Sequence, residues 1–172
     1  MKKILFSLVA LMAVMTVQAQ SICATWRTMQ PVVETSDDGS FQAQSFTYTF
    51  YEDGTYSSVL ELTEATQPAP TMALEIAATM EIKGTYTLEG DQLTTTPDAD
   101  TYKAELISVS QNGKVMDNSM FASQINGMLN SPEAKADAAK PSTYTVKVGD
   151  STLDMTEGDK TLNFVRFATI KN

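Results

Sequence analysis

Histidine is absent from the 172 residues, and cysteine and tryptophan each occur once, as Cys23 and Trp26. Without imidazole, the usual general base and the usual zinc ligand are missing, and so is every triad built on histidine. A lone cysteine excludes a disulfide within the chain, so the fold must rest on its apolar core. Positive charge is scarce as well: 12 Lys and Arg stand against 21 Asp and Glu, a formal net charge of −9. A field of that sign repels nucleic acid and anionic membranes, and no basic patch offsets it. Long apolar runs are missing from everything that follows Val17.

The exception is the beginning. Met1-Lys2-Lys3 precedes an apolar run from Ile4 to Val17, and Val17-Gln18-Ala19 places small residues where a signal peptidase reads. This is the pattern of a secretory signal peptide. The run falls short of the roughly 20 residues that a spanning helix needs, so no integral membrane span is expected. The expected organisation is a signal peptide over 1–19 and one domain over 20–172. Its destination would be periplasmic or extracellular. Loss of Lys2 and Lys3 makes the mature chain more acidic, at −11. A domain of this length buries about 68–70% of its unfolded surface, enough for a core without staples.

Cys23 follows the apolar run closely enough to raise lipid attachment. Ile22 directly before it, and the polar Gln20-Ser21, argue against that processing. The remaining readings are a small, buried, inert residue on the first strand, as free cysteines often are, and an intermolecular disulfide.

What the chain does contain is alternation. Leu74, Ile76, Ala78, Met80 and Ile82, continuing through Gly84 to Tyr86 and Leu88, interleave with mostly polar residues from Glu75 to Glu89. Period-2 alternation predicts a strand buried on one face. Its length is about three times the usual, and Gly84 is where it would bend. Short Gly/Asp turns at Glu52-Asp53-Gly54, Glu89-Gly90-Asp91, Gly149-Asp150 and Glu157-Gly158-Asp159 separate β-prone runs, which predicts antiparallel hairpins. The expected strands cover 46–51, 55–62, 74–88, 92–95, 144–148, 152–155 and 162–167. Adding 24–29 and 102–109 makes eight or nine, a sandwich or a barrel. The polar stretch Val33 to Ser45 reads as a loop.

One segment has another period. From Met116 the apolar residues are Met116, Met120, Phe121, Ile125, Met128 and Leu129, at helical spacing, with Asp117 or Ser119 as a cap. Ser131-Pro132-Glu133 then starts a short alanine-rich helix that stops before Pro141. The helical insert spans about 116–140. It would either close the mouth of a barrel or cover its outer face.

In this order, Ala24-Thr25-Trp26-Arg27, Phe50 to Tyr56, Gly84 to Leu88, Gly90 to Leu93, Gly149 to Leu153 and Phe164-Val165-Arg166 resemble a bacterial lipocalin-like (calycin-type) domain. The resemblance implies an all-β, antiparallel barrel of eight to nine strands. It implies that Trp26 closes the floor with Arg166 packed over it, a cation–π contact of about 0.5–2 kcal/mol. Ala24 stands where the family has glycine. The helical insert precedes the last three strands, whereas lipocalins carry their helix after the barrel.

Chemistry has little to work with. Asp37-Asp38 and Asp98-Ala99-Asp100 lack the alternating ligands and closing glutamate of a calcium loop. No carboxylate pair or Ser–Lys spacing stands out. The expectation is a protein that is not an enzyme and has no metal and no cofactor. Seven methionines of the mature chain, Met29, Met72, Met80, Met116, Met120, Met128 and Met155, suit either an adaptable pocket or a flexible core. The leading expectation is a module that takes a small apolar or amphipathic molecule into the barrel, lined by Tyr48, Phe50, Ile76, Met80, Tyr86, Met120 and Phe121. The competing expectation is a filled barrel that contacts a protein partner, as an inhibitor or an envelope-complex subunit. Its acidic face and the Val33–Ser45 segment would then make the contact.

Overall fold

The computed structural model describes residues 22–35, 40–69, 72–116 and 120–168. The signal segment 1–19, the Asp37-Asp38 pair and the candidate caps Asp117 and Ser119 lie outside the described residues. Ten strands form one antiparallel sheet: β1 (Thr25–Thr28), β2 (Val32–Thr35), β3 (Phe41–Phe50), β4 (Thr55–Ala69), β5 (Met72–Glu89), β6 (Gln92–Gln111), β7 (Lys114–Val115), β8 (Ser142–Val148), β9 (Thr152–Glu157) and β10 (Lys160–Ala168). Two helices, α1 (Met120–Leu129) and α2 (Pro132–Ala138), lie between β7 and β8. Strand β1 pairs with both β10 and β3, which closes the order β1-β10-β9-β8-β6-β5-β4-β3 into a ring. Eight strands therefore make the barrel, with β2 beside β3 and β7 beside β6. This all-β antiparallel ring, with its helices before the last three strands, is the architecture the sequence predicts.

The ring is lopsided. Strands β4, β5 and β6 run for 15, 18 and 20 residues, whereas β8 and β9 run for 7 and 6. Strand β8 pairs with β6 only along Gln92–Thr95. Beyond that point the long strands continue without β8, and α1 and α2 pack on β6 there. The short end is filled. Trp26, Phe50, Leu93, Leu153 and Phe164 are wholly buried in one cluster with Tyr56, Tyr86, Val146 and Met155. The Trp26 indole N–H donates to the Ile22 carbonyl at 2.7 Å, and the Arg166 guanidinium carbon lies 4.9 Å from the ring centroid. The two residues face each other across the β1–β10 seam, so the indole fills the floor where first and last strands meet. Cys23 is half-buried and precedes β1. Its sulfur lies 3.4 Å from the Tyr86 hydroxyl, which itself donates to the Tyr51 carbonyl at 2.8 Å.

Three expectations are corrected. First, most of the described part of Val33–Ser45 is strand rather than loop. Residues 32–35 form β2, and β3 begins at Phe41, pairing through Ser45 with Glu61–Ala65 of β4. Its polar sequence is compatible with a strand because neither face here meets the packed core, and strand preference follows the environment. Second, 92–95 and 102–109 are one strand. The β5–β6 ladder passes from Lys83↔Asp98 to Glu81↔Lys103, so β6 carries a wide bulge between Asp98 and Lys103. The Thr101 hydroxyl accepts from the Lys83 N–H at 2.8 Å and thereby replaces a ladder bond. The turn-like composition of Pro97 to Asp100 marks this bulge rather than a break between strands. Gly84 sits beside it. A Cβ there would lie 2.2 Å from the Thr96 carbonyl oxygen, so glycine is required by close backbone approach. Third, Met116 is not helical. Asn112 and Gly113, with φ of 52° and 74°, form the tight turn that returns the chain as β7, and α1 begins at Met120. In α2, Ser131 accepts from the Ala134 N–H at 3.1 Å, as a cap followed by proline should, and no residue of this helix is buried.

Candidate functional site

Because the long strands outrun the core, their inward positions above it have no opposing short strand to fill against. They border a cavity of about 720 Å³ that is open to solvent on one side. Alternation dictates which side chains face it. On β3 these are Phe46 and Tyr48, and on β4 Ser58, Leu60, Leu62 and Glu64. On β5 they are Ile76, Met80 and Ile82, with Glu81 at the bulge, and on β6 Tyr102. The fourth side is helical: Ile125, Met128 and Leu129 of α1, and Ala134, Asp137 and Ala138 of α2. The helices are anchored at their junction. The Tyr102 hydroxyl donates to the Leu129 carbonyl at 2.9 Å, and the Asn130 side-chain amide donates to the Ala104 carbonyl at 3.1 Å.

The floor is aromatic. Tyr48 stacks on Phe50 with ring centroids 5.8 Å apart, meets Phe164 edge-on at 5.8 Å and lies beside Tyr56 at 6.2 Å. Burial, reinforced by the neighbouring Tyr144 phenol, pushes the Tyr48 phenol well above its ordinary value. Burial likewise raises Tyr56, to about 12, and Tyr86, where Cys23 adds to the effect. The cavity therefore ends on an uncharged phenol. From there the walls are aliphatic up to Glu64, six residues beyond the Ser58 that pairs with Tyr48, a span of roughly 20 Å at the rise of a strand.

The sequence-predicted lining residues divide into three groups. Tyr48, Ile76 and Met80 face the cavity. Phe50 and Tyr86 are buried in the packed core beneath it, with rings 5.0 Å apart. Met120 is 87% exposed, and neither it nor Phe121 reaches the cavity wall. The methionines divide too: Met155 is core, Met80 faces the cavity, Met128 borders it while remaining 66% exposed, and Met29 and Met120 are exposed. Sequence reasoning missed Phe46, Leu60, Leu62, Ile82 and Tyr102. For Phe46 the signal was present, since it shares the parity of Tyr48. Leu60 and Leu62 needed the β3–β4 register, and Tyr102 needed the bulge. On α1, Ile125, Met128 and Leu129 of the predicted stripe border the cavity, while the one buried residue of the helix is Ala122 in its first turn.

Among the described residues, no helix is long and apolar enough to cross a membrane, and no three Cys, Asp or Glu side chains are grouped to hold a metal ion. No protein-family model matches the chain, and no curated protein matches it. Among solved structures, a lipocalin-like protein from Bacteroides uniformis ATCC 8492 is similar at 14% sequence identity and a TM-score of 0.34, over 86% of this chain and 99% of that one.

Proposed function

We propose that this chain is an exported, lipocalin-like binding protein that holds a small apolar or amphipathic molecule between its long strands and its two helices. The observation that supports this reading is the cavity, about 720 Å³ with mostly aliphatic and aromatic walls. Pockets that bind small molecules occupy about 300–1,000 Å³ and are lined in the same manner. Removal of a ligand's apolar surface from water would supply most of the affinity, at roughly 25 cal/mol per Å². The signal sequence, read over 1–19, supports export to the periplasm or beyond.

The test is uptake of a neutral apolar dye, N-phenylnaphthylamine, by the purified mature chain, compared with Ser58→Trp. Ser58 faces the void, so an indole there occupies space without overpacking the core. The reading expects saturable dye uptake by the wild type and its loss in the variant, with the melting temperature retained. Absence of uptake by the wild type, or equal uptake by both, would overturn it.

A further inference from the structure

The walls of the cavity carry charge of one sign only. Among the described residues that line it, the charged side chains are Glu64, Glu81 and Asp137, and none is lysine or arginine. Two of the three are already compensated. Glu81 lies 3.6 Å from the Lys83 ammonium, and Asp137 lies 2.6 Å from that of Lys140. Glu64 has no ion pair among the described residues, and it stands at the upper end of the aliphatic wall, paired across the ladder with the inward-facing Ile76. At the opposite end stands the phenol of Tyr48, packed among Phe50, Tyr56 and Phe164. A ligand would thus meet an apolar, open-sided cavity with a phenol floor and a carboxylate at its rim that has no ion pair among the described residues. The chain as a whole is acidic, so the long-range field has the same sign as the rim and reinforces it.

We propose that the molecule held in this cavity is a cationic amphiphile, with its apolar tail toward Tyr48 and its ammonium or guanidinium group at Glu64. This rests on the binding reading above and adds the sign of the head group to it. A carboxylate-headed amphiphile of the same length would place its charge against Glu64 with no cation in the lining to receive it. A buried or half-buried charge without a partner is costly, and complementary charge sets selectivity more than total affinity. The same tail with an uncharged head would bind with intermediate strength.

The experiment uses three probes that share a dodecyl tail: dodecyltrimethylammonium, dodecanol and dodecanoate, each displacing N-phenylnaphthylamine below its micellar concentration. The proposal expects the ammonium to bind more tightly than the carboxylate by roughly tenfold or more, with the alcohol between. Glu64→Gln should bring the ratio close to one, while Glu89→Gln, at the exposed turn of the filled end, should leave it unchanged. That control separates a local contact from general attraction to an acidic protein. If dodecanol binds but the carboxylate binds as well as the ammonium, the head-group proposal fails and the cavity reading stands. If Glu64→Gln leaves the ratio intact, the head-group proposal also fails. If none of the three displaces a dye that is bound by the wild type and lost in Ser58→Trp, the head-group proposal fails and the cavity reading stands; if the dye itself is not taken up, both fail.

Discussion

The division of the barrel into a packed end and a hollow end predicts that one substitution should have two very different costs. Leu153 of β9 is fully buried in the core cluster, whereas Leu60 of β4 faces the cavity. Truncating Leu153 to alanine removes apolar surface from a close-packed site and leaves a new void. Leucine-to-alanine changes of that kind cost about 3–4 kcal/mol, because the cavity term adds to the transfer term. At Leu60 the void already exists on one side, and the side chain has forfeited part of its dispersion contacts before any mutation. Only a partial transfer term is lost, about 1 kcal/mol. Urea titration followed by the fluorescence of Trp26, the single tryptophan, reads both. With a slope of about 2 kcal/mol per molar for a domain of this size, the midpoint should fall by roughly 1.5–2 M for Leu153→Ala and by about 0.5 M for Leu60→Ala. Equal losses would mean that the long strands collapse on each other in solution and that Leu60 is core. A saturating apolar ligand should narrow the contrast, since it stabilises the folded state by mass action through contacts that include Leu60, so that Leu60→Ala then costs more.

Gly84→Ala should destabilise by about 1–3 kcal/mol, because its Cβ meets the Thr96 carbonyl at 2.2 Å and the two strands must move apart; a melting temperature equal to wild type would show that the bulge yields freely. Arg166→Met keeps the stem over Trp26 but removes the guanidinium, and should cost about 0.5–2 kcal/mol, with a red shift in tryptophan emission as the floor loosens; unchanged emission would place Arg166 outside the floor. Stability should also fall in alkali. Tyr56 titrates at about 12 in the folded chain, raised mainly by burial, against an ordinary value of 10.0, and Tyr48 and Tyr86 shift in the same direction. The unfolded chain therefore releases these protons first. Their contribution to stability is whole below about pH 10 and is lost as pH rises through about 12. Absorbance of tyrosinate should rise together with loss of structure across that window, and full ionisation in a still-folded protein would refute the burial of these rings.

The legible part of the fold is the part governed by local periodicity. The alternation from Leu74 to Leu88, the four short Gly/Asp turns and the Ser131-Pro132-Glu133 start of α2 each carry their own physical cause within a few residues of sequence, and the strands and helix stand where those causes place them. The two corrections to the strands have the opposite character. The stretch from Phe41 to Ser45 is a strand because β4 is long enough to pair with it. The one from Pro97 to Asp100 stays in the sheet because Thr101 reaches back to Lys83. Neither partner is visible from the segment itself.

The candidate site was legible to a similar depth. Parity along β3 and β5 puts Tyr48, Ile76 and Met80 inside, and parity holds for Phe50 and Tyr86 as well. It cannot say at which height along the strand the interior stops being full. That boundary is drawn by the mismatch between long β4–β6 and short β8–β9, a property of strand pairing across the whole barrel. By itself, the sequence determined an antiparallel all-β chain without imidazole or internal disulfide chemistry, because hydrophobic period, turn residues and composition are local quantities. Only the tertiary structure decided that the long-strand end of the barrel holds a cavity, that Ile125, Met128 and Leu129 of α1 border one side of it, and that Glu64 stands at its rim without an ion pair among the described residues. Packing depends on which side chains meet across the ring, and those residues lie far apart in the chain.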